Sequence, residues 1–85
     1  MNRNIKIAFD VYSDLIILFK DYHITMIRSA DNSFRLDVAT EDDELFYITI
    51  KNTRITFYNK KEKLNFFSTI KLFEYLVESW VLKND

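Results

Sequence analysis

The chain has 85 residues, 13 acidic and 12 basic, with a formal charge of −1 and 48% apolar residues. That bounds it to one small domain, residues 1–85, with no bulk electrostatic preference for nucleic acid or a membrane surface. It contains no Cys, Gly or Pro, which excludes disulfides and thiolate metal sites. It also excludes phosphate-cradling loops, dinucleotide-binding turns and the nucleophile elbow, all of which need glycine.

The first segment carries two periodicities. Ile5, Ile7, Phe9 and Val11 alternate like a strand over 4–11, with Ser13 then capping a helix. Ile5, Ala8, Tyr12, Leu15, Phe19 and Tyr22 recur at spacings of three and four over a longer window, which predicts a helix from 4 to 21. Asp10 and Asp14 interrupt any signal-peptide core. The apolar run at 15–19 is far below the roughly 20 residues of a membrane span. No membrane association and a cytoplasmic location are therefore expected.

Four alternating stretches follow at 23–29, 33–39, 45–51 and 54–59. Short gaps make them an antiparallel meander. Without glycine, the turns must use Asn and Asp, which tolerate positive φ; Asp31-Asn32, Asn52-Thr53 and Asn59 are available. Helical spacing returns over 66–83, with Phe66, Ile70, Phe73, Val77 and Trp80 in line and Ser68 or Asn65 as cap. The expected fold is α+β: a two-layer sandwich of helix, four-stranded antiparallel meander and helix, both helices on one face. The inner sheet face is then Phe34, Leu36, Val38, Phe46, Ile48, Ile50, Ile55 and Phe57, and Phe73 and Trp80 are read as core.

That inner set fixes parity, because a one-residue slip would turn it outward. Arg28 should face Arg35, Lys51 face Arg54, Thr49 face Thr56 and Tyr47 face Tyr58. The outer face thus gathers Arg28, Arg35, Lys51 and Arg54 beside Tyr47 and Tyr58. If Ile27 points inward, Ile24 and Met26 add an apolar patch to that face; with the opposite parity they are core. Such a face suits a protein partner, or single-stranded nucleic acid through stacking and phosphate contacts. It also suits plain solvent.

The run Glu41, Asp42, Asp43 and Glu44 reads as a hairpin turn near the Lys60, Lys61 and Lys63 loop, with a secondary role as an interaction tip. It lacks the spacing and the turn glycine of an EF-hand loop, so no metal is expected. His23 has no second histidine and reads as a junction residue. No serine has an evident His–Asp partnership.

No cofactor and no enzymatic activity are expected. The preferred function is a small protein-binding module, an inhibitor or accessory protein that docks on a larger protein; homodimerisation is compatible with it. Abundant Ile, Asn, Lys, Phe and Tyr with only three Ala are the mark of an AT-rich genome, as in a phage or mobile element. The alternative is a nucleic-acid-binding domain using the basic and aromatic outer face.

Overall fold

The computed structural model describes residues 3–81. Helical periodicity prevails at the start of the chain: α1 spans Arg3–Leu18 and buries Asn4, Ala8, Val11 and Leu15. This stripe is rotated from the expected one towards Asn4 and Val11. Ile5 and Tyr12 sit at its margin, partly buried against the core. The helix ends three residues before the expected 21, where Tyr22 N–H turns back to Phe19 O at 3.0 Å. Phe19 is buried and Tyr22 is exposed.

The sheet has five strands rather than four, all antiparallel, in the order β1 (His23–Arg28), β2 (Phe34–Ala39), β3 (Glu44–Lys51), β4 (Arg54–Tyr58) and β5 (Lys63–Phe66). The fifth strand hides in the sequence because four residues barely establish an alternation. Its Phe66 also fits the helical spacing of the segment that follows. What makes it is the turn before it. Asn59 Oδ1 accepts from Lys61 N and Glu62 N at 2.9 and 2.8 Å, and Asn59 N donates to Glu62 O. An Asx turn of this kind reverses the chain without glycine.

The second helix, α2 (Thr69–Leu76), starts later than expected and is capped by Ser68, whose Oγ accepts from Lys71 N at 3.2 Å. Its buried residues are Leu72 and Leu76, not the expected line. Phe66 belongs to β5, Ile70 is 69% exposed and Phe73 is only half-buried. The segment is apolar on several sides, so spacing alone offers two stripes. Moving Phe66 into a strand removes the first member of the wrong one. The helix continues as a π-helical turn over Val77–Val81, which carries Trp80 against Phe46 and Phe19 at ring-centroid distances of 5.5 and 6.3 Å. The expected extension through Leu82 and Lys83 lies outside the described residues.

Both helices lie on the face that carries Phe34, Leu36, Val38, Phe46, Ile48, Ile50, Ile55 and Phe57, and all eight are buried as expected. Full burial of such side chains contributes about 1.5–3 kcal/mol each. Phe46 is the hub, with Phe57 at 5.0 Å and Phe19 edge-on at 5.3 Å. Met26 pairs with Leu36 and Ile24 with Val38. The first strand therefore turns Ile24 and Met26 inward, and Ile27 is the outward residue, 52% exposed.

The turns show how a chain without glycine manages. Asn32, Asn52 and Thr53 have φ of 64°, 51° and 62°. For Asn this costs little, but a left-handed β-branched residue is strained. Asn4 on α1 supports both turns: its Nδ2 donates to Asn32 O at 3.0 Å, and its Oδ1 accepts from Thr53 N at 2.8 Å. This explains why an asparagine is 8% exposed at the head of the helix. It pins α1 to two loops at the same end of the sheet.

Candidate binding face

The face of the sheet away from the helices carries most of the residues that sequence patterning singled out. Parity places them there: β3 pairs with β4 as Lys51↔Arg54, Thr49↔Thr56 and Tyr47↔Tyr58, and β2 with β3 as Arg35↔Thr49 and Asp37↔Tyr47. The three β3–β4 pairings are the expected ones.

Across four strands the side chains form one stacked row. The Arg35 guanidinium carbon lies 3.8 Å from the Tyr47 ring centroid, Tyr47 stacks on Tyr58 at 4.7 Å with 14° between planes, and Lys63 Nζ lies 5.6 Å from the Tyr58 ring. Strand order puts Arg35 and Tyr58 on opposite sides of Tyr47, and Tyr47 and Lys63 on opposite sides of Tyr58. The rings therefore stand upright on the sheet with both faces covered. A stacked pair contributes about 0.5–1.5 kcal/mol beyond area burial, and an exposed cation over a ring about 0.5–1 kcal/mol.

Arg28 does not join this face. The loop after β1 spans residues 29–33 and is closed by Ser29 N to Ser33 O at 2.9 Å, so the residue opposite Arg35 is Ile27. Arg28 pairs with Phe34 and turns its guanidinium to Asn32 Oδ1, with Nε at 3.1 Å and Nη2 also in contact. The two-residue turn expected at Asp31-Asn32 was one position out of phase for β1. Ser33 and Asp31 supply the reason: Asp31 Oδ1 accepts from Ser33 N at 3.0 Å and from Ser33 Oγ at 2.6 Å, which fixes a wider loop. Those bonds hold the Asp31 carboxyl below its usual value, with a smaller contribution from Lys51.

At one corner of the face, opposite charges are paired with each other. Arg35 Nε donates to Asp37 Oδ1 at 3.0 Å, and Arg35 Nη2 reaches Glu44 Oε1 at 3.3 Å. Glu44 belongs to β3 and not to the turn. The pairs Val38↔Phe46 and Ala39↔Glu44 leave Leu45 as the extra residue of a bulge, which moves Glu44 to the side of Arg35. Bonding to Asp37 raises the pKa of Arg35. Partial burial, then the adjacent Asp37 carboxylate, push the Glu44 carboxyl above its usual value, against the lowering pull of Arg35.

The acidic turn faces the lysine loop, as expected. Lys60 Nζ bonds Asp43 Oδ2 at 2.9 Å and holds that carboxyl below its usual value. Thr40 Oγ1 accepts from Asp42 N and Asp43 N, which folds the tip. Glu41 and Asp42 are exposed there. Among the described residues no three His, Asp or Glu side chains gather closely enough to hold a metal ion. His23 is exposed at the start of β1.

The other corner is not neutralised. Thr49, Lys51, Asn52, Arg54, Thr56, Tyr58, Lys63 and Asn65 line a shallow groove of about 320 Å³. Its floor is Thr56, 6% exposed, whose Oγ1 bonds Asn65 Oδ1 at 3.0 Å. Three cations rim it. Lys51 lies 4.0 Å from Asp31, at the limit of an ion pair, while Arg54 and Lys63 have no carboxylate partner among the described residues. Lys63 and Asn65 were expected elsewhere, Lys63 in the lysine loop and Asn65 as a possible helix cap, and not at this site. Both lie on the unexpected strand, and only its identification brings them to the site.

The chain matches no family model, no curated protein and no solved structure. No helix among the described residues is long and apolar enough to cross a membrane.

Proposed function

We propose that this chain is a non-enzymatic protein-binding module, an inhibitor or accessory protein that docks on a larger protein through the outer face of its sheet. The observation that carries the reading is the Arg35–Tyr47–Tyr58–Lys63 row on a sheet face that no helix covers. A row of this kind holds long side chains in fixed places before any partner arrives, which lowers the entropy lost on binding. Tyr and Arg are also the side chains most enriched at binding hot spots. The AT-rich residue usage is in keeping with an accessory protein of a mobile element.

The same geometry weighs against the nucleic-acid alternative. Base stacking needs an open ring face, and here the faces of Tyr47 and Tyr58 are taken by Arg35, by each other and by Lys63. Only ring edges remain for a partner, and these suit the mixed apolar and polar contacts of a protein surface.

The test is affinity capture from native lysate, with and without nuclease, using the wild type and the Tyr47→Ala and Tyr58→Ala variants. The reading expects a protein partner that survives nuclease and is lost with either tyrosine. Retention of every partner by both variants, or loss of all partners on nuclease treatment, contradicts it.

A further inference from the structure

The sheet has two open edges, and they differ in what they would accept. β1 has no strand on its outer side, but its outward residues are His23, Thr25 and Ile27, with no Lys or Arg among them, and Arg28 is engaged by Asn32. Nothing there selects an occupant. β5 is the other edge, and its two sides are chemically distinct. On the helix side stand Leu64 and Phe66, both half-buried, with Tyr75 5.5 Å from the Phe66 ring. On the outer side stand Lys63 and Asn65, beside the groove rimmed by Lys51 and Arg54.

We infer that the β5 edge and its adjoining groove bind an extended acidic segment of the partner protein, added as a sixth strand with carboxylates in the groove. This rests on the protein-binding reading above and specifies the partner's chemistry. An added strand alternates its side chains between the two faces. One set lies on the apolar side next to Leu64 and Phe66. The other lies next to Lys63 and Asn65.

Neighbouring strands are about 4.8 Å apart, so Arg54 on β4 is roughly 10 Å from the occupant's backbone. A glutamate and an arginine reaching towards each other span that gap. Asn65 Oδ1 is already used by Thr56, which leaves the Asn65 amide N–H groups to donate to an incoming carboxylate. Lys51 and Arg54 face each other with like charge, an arrangement that is mildly destabilising alone and is relieved by a bound anion. The segment recognised is thus an alternation of acidic and apolar residues in extended form.

The experiment is a fluorescence anisotropy titration of the whole protein with a labelled peptide of five Val-Glu repeats at low and moderate salt. Three further probes accompany it: five Val-Lys repeats, a block peptide of the same Val and Glu content without alternation, and a single-stranded oligothymidine. The Val-Glu peptide binds, and binding weakens with salt. Arg54→Ala and Lys63→Ala each weaken it about three-fold, in the range of exposed ion pairs. The double variant Arg54→Glu/Lys63→Glu weakens it more than ten-fold, with folding checked by circular dichroism. Lys20→Glu, a charge reversal in the turn after α1, leaves it unchanged.

The inference is overturned by no Val-Glu binding at low salt, by equal binding of the block peptide, or by unchanged affinity in the double variant. Oligothymidine binding that requires Arg54 and Lys63 while the peptide does not bind also overturns it. If the peptide fails but partner capture still depends on Tyr47 and Tyr58, the protein-binding reading stands and only the acidic-segment inference falls.

Discussion

Two corners of the outer sheet face arrange their charged groups oppositely. At the β2–β3 corner, Arg35 is shared by Asp37 and Glu44, and Asp43 is held by Lys60. At the β3–β5 corner, Lys51 and Arg54 are placed directly opposite each other, and Lys63 leans over Tyr58. The first arrangement pairs its charges within the corner, with one carboxylate in excess. The second has charge to spare around a groove. Sequence counting cannot tell these apart, because both corners read as charged residues alternating with apolar ones. Only the pairing of strands decides which charges meet.

The strongest way to break the contrast is to remove the row that joins the corners. Tyr47→Ala loses the stack on Tyr58 and the Arg35 contact together, and is expected to cost about 1–2 kcal/mol in urea unfolding. Combined with Tyr58→Ala in a double-mutant cycle, it should show a coupling of about 0.5–1.5 kcal/mol. Additive behaviour would mean that the rings are neighbours without being a unit.

A second variant separates turn strain from surface charge. Thr53→Gly relieves the φ of 62° at a β-branched residue and should stabilise by about 1 kcal/mol. Because the Asn4 bond is to the Thr53 backbone N–H, that tie survives. A loss of stability would place the support of this turn in the threonine side chain.

Much of the architecture was legible from residue order. The inner face could be named because Phe34 to Phe57 alternate over three strands, and the register of β2, β3 and β4 followed from it. Three features of the sheet and its outer face were not legible, each for a local reason. The β5 strand is too short to display its period and is introduced by a polar run whose folding depends on a single Asn59 side chain. Arg28 left the predicted patch because the Asp31–Ser33 bonds widen a loop by an amount that no apolar pattern reports. Glu44 joined the face through a bulge at Leu45, and an alternating pattern has no means to show an extra residue. The groove was therefore half visible: Lys51 and Arg54 were read onto the face, while Lys63 and Asn65 were read as a loop residue and a helix cap until the strand placed them there.

Arg54→Glu turns the like-charged pair with Lys51 into an opposite one and should stabilise by about 0.2–1 kcal/mol while weakening acidic ligands. Stability and binding moving in opposite directions is the signature of an open corner. Glu44 supplies the smallest effect, through pH. Its carboxyl titrates above the ordinary 4.5 in the folded chain, so ionising it is disfavoured by folding, and the stability linked to its protonated form is lost as pH rises through that higher value. Glu44→Gln should therefore gain on the wild type, in melting temperature, as pH is raised from about 4.5 towards neutrality. Asp43 works in the other sense: its lowered value means stability lost as pH falls, and Asp43→Asn should fall behind the wild type near neutrality and converge with it in acid.

On the proposed reading, the β3–β5 corner, and not the β2–β3 corner, receives the acidic segment of the partner. The most direct measurement is a backbone amide NMR titration of the isotopically labelled protein with the Val-Glu peptide. Shifts are expected to concentrate at Lys51, Arg54, Thr56 and the β5 residues Lys63–Phe66, with Arg35, Asp37 and the Thr40–Glu44 turn unmoved. Shifts centred on that turn and Arg35, or none at all, would contradict it.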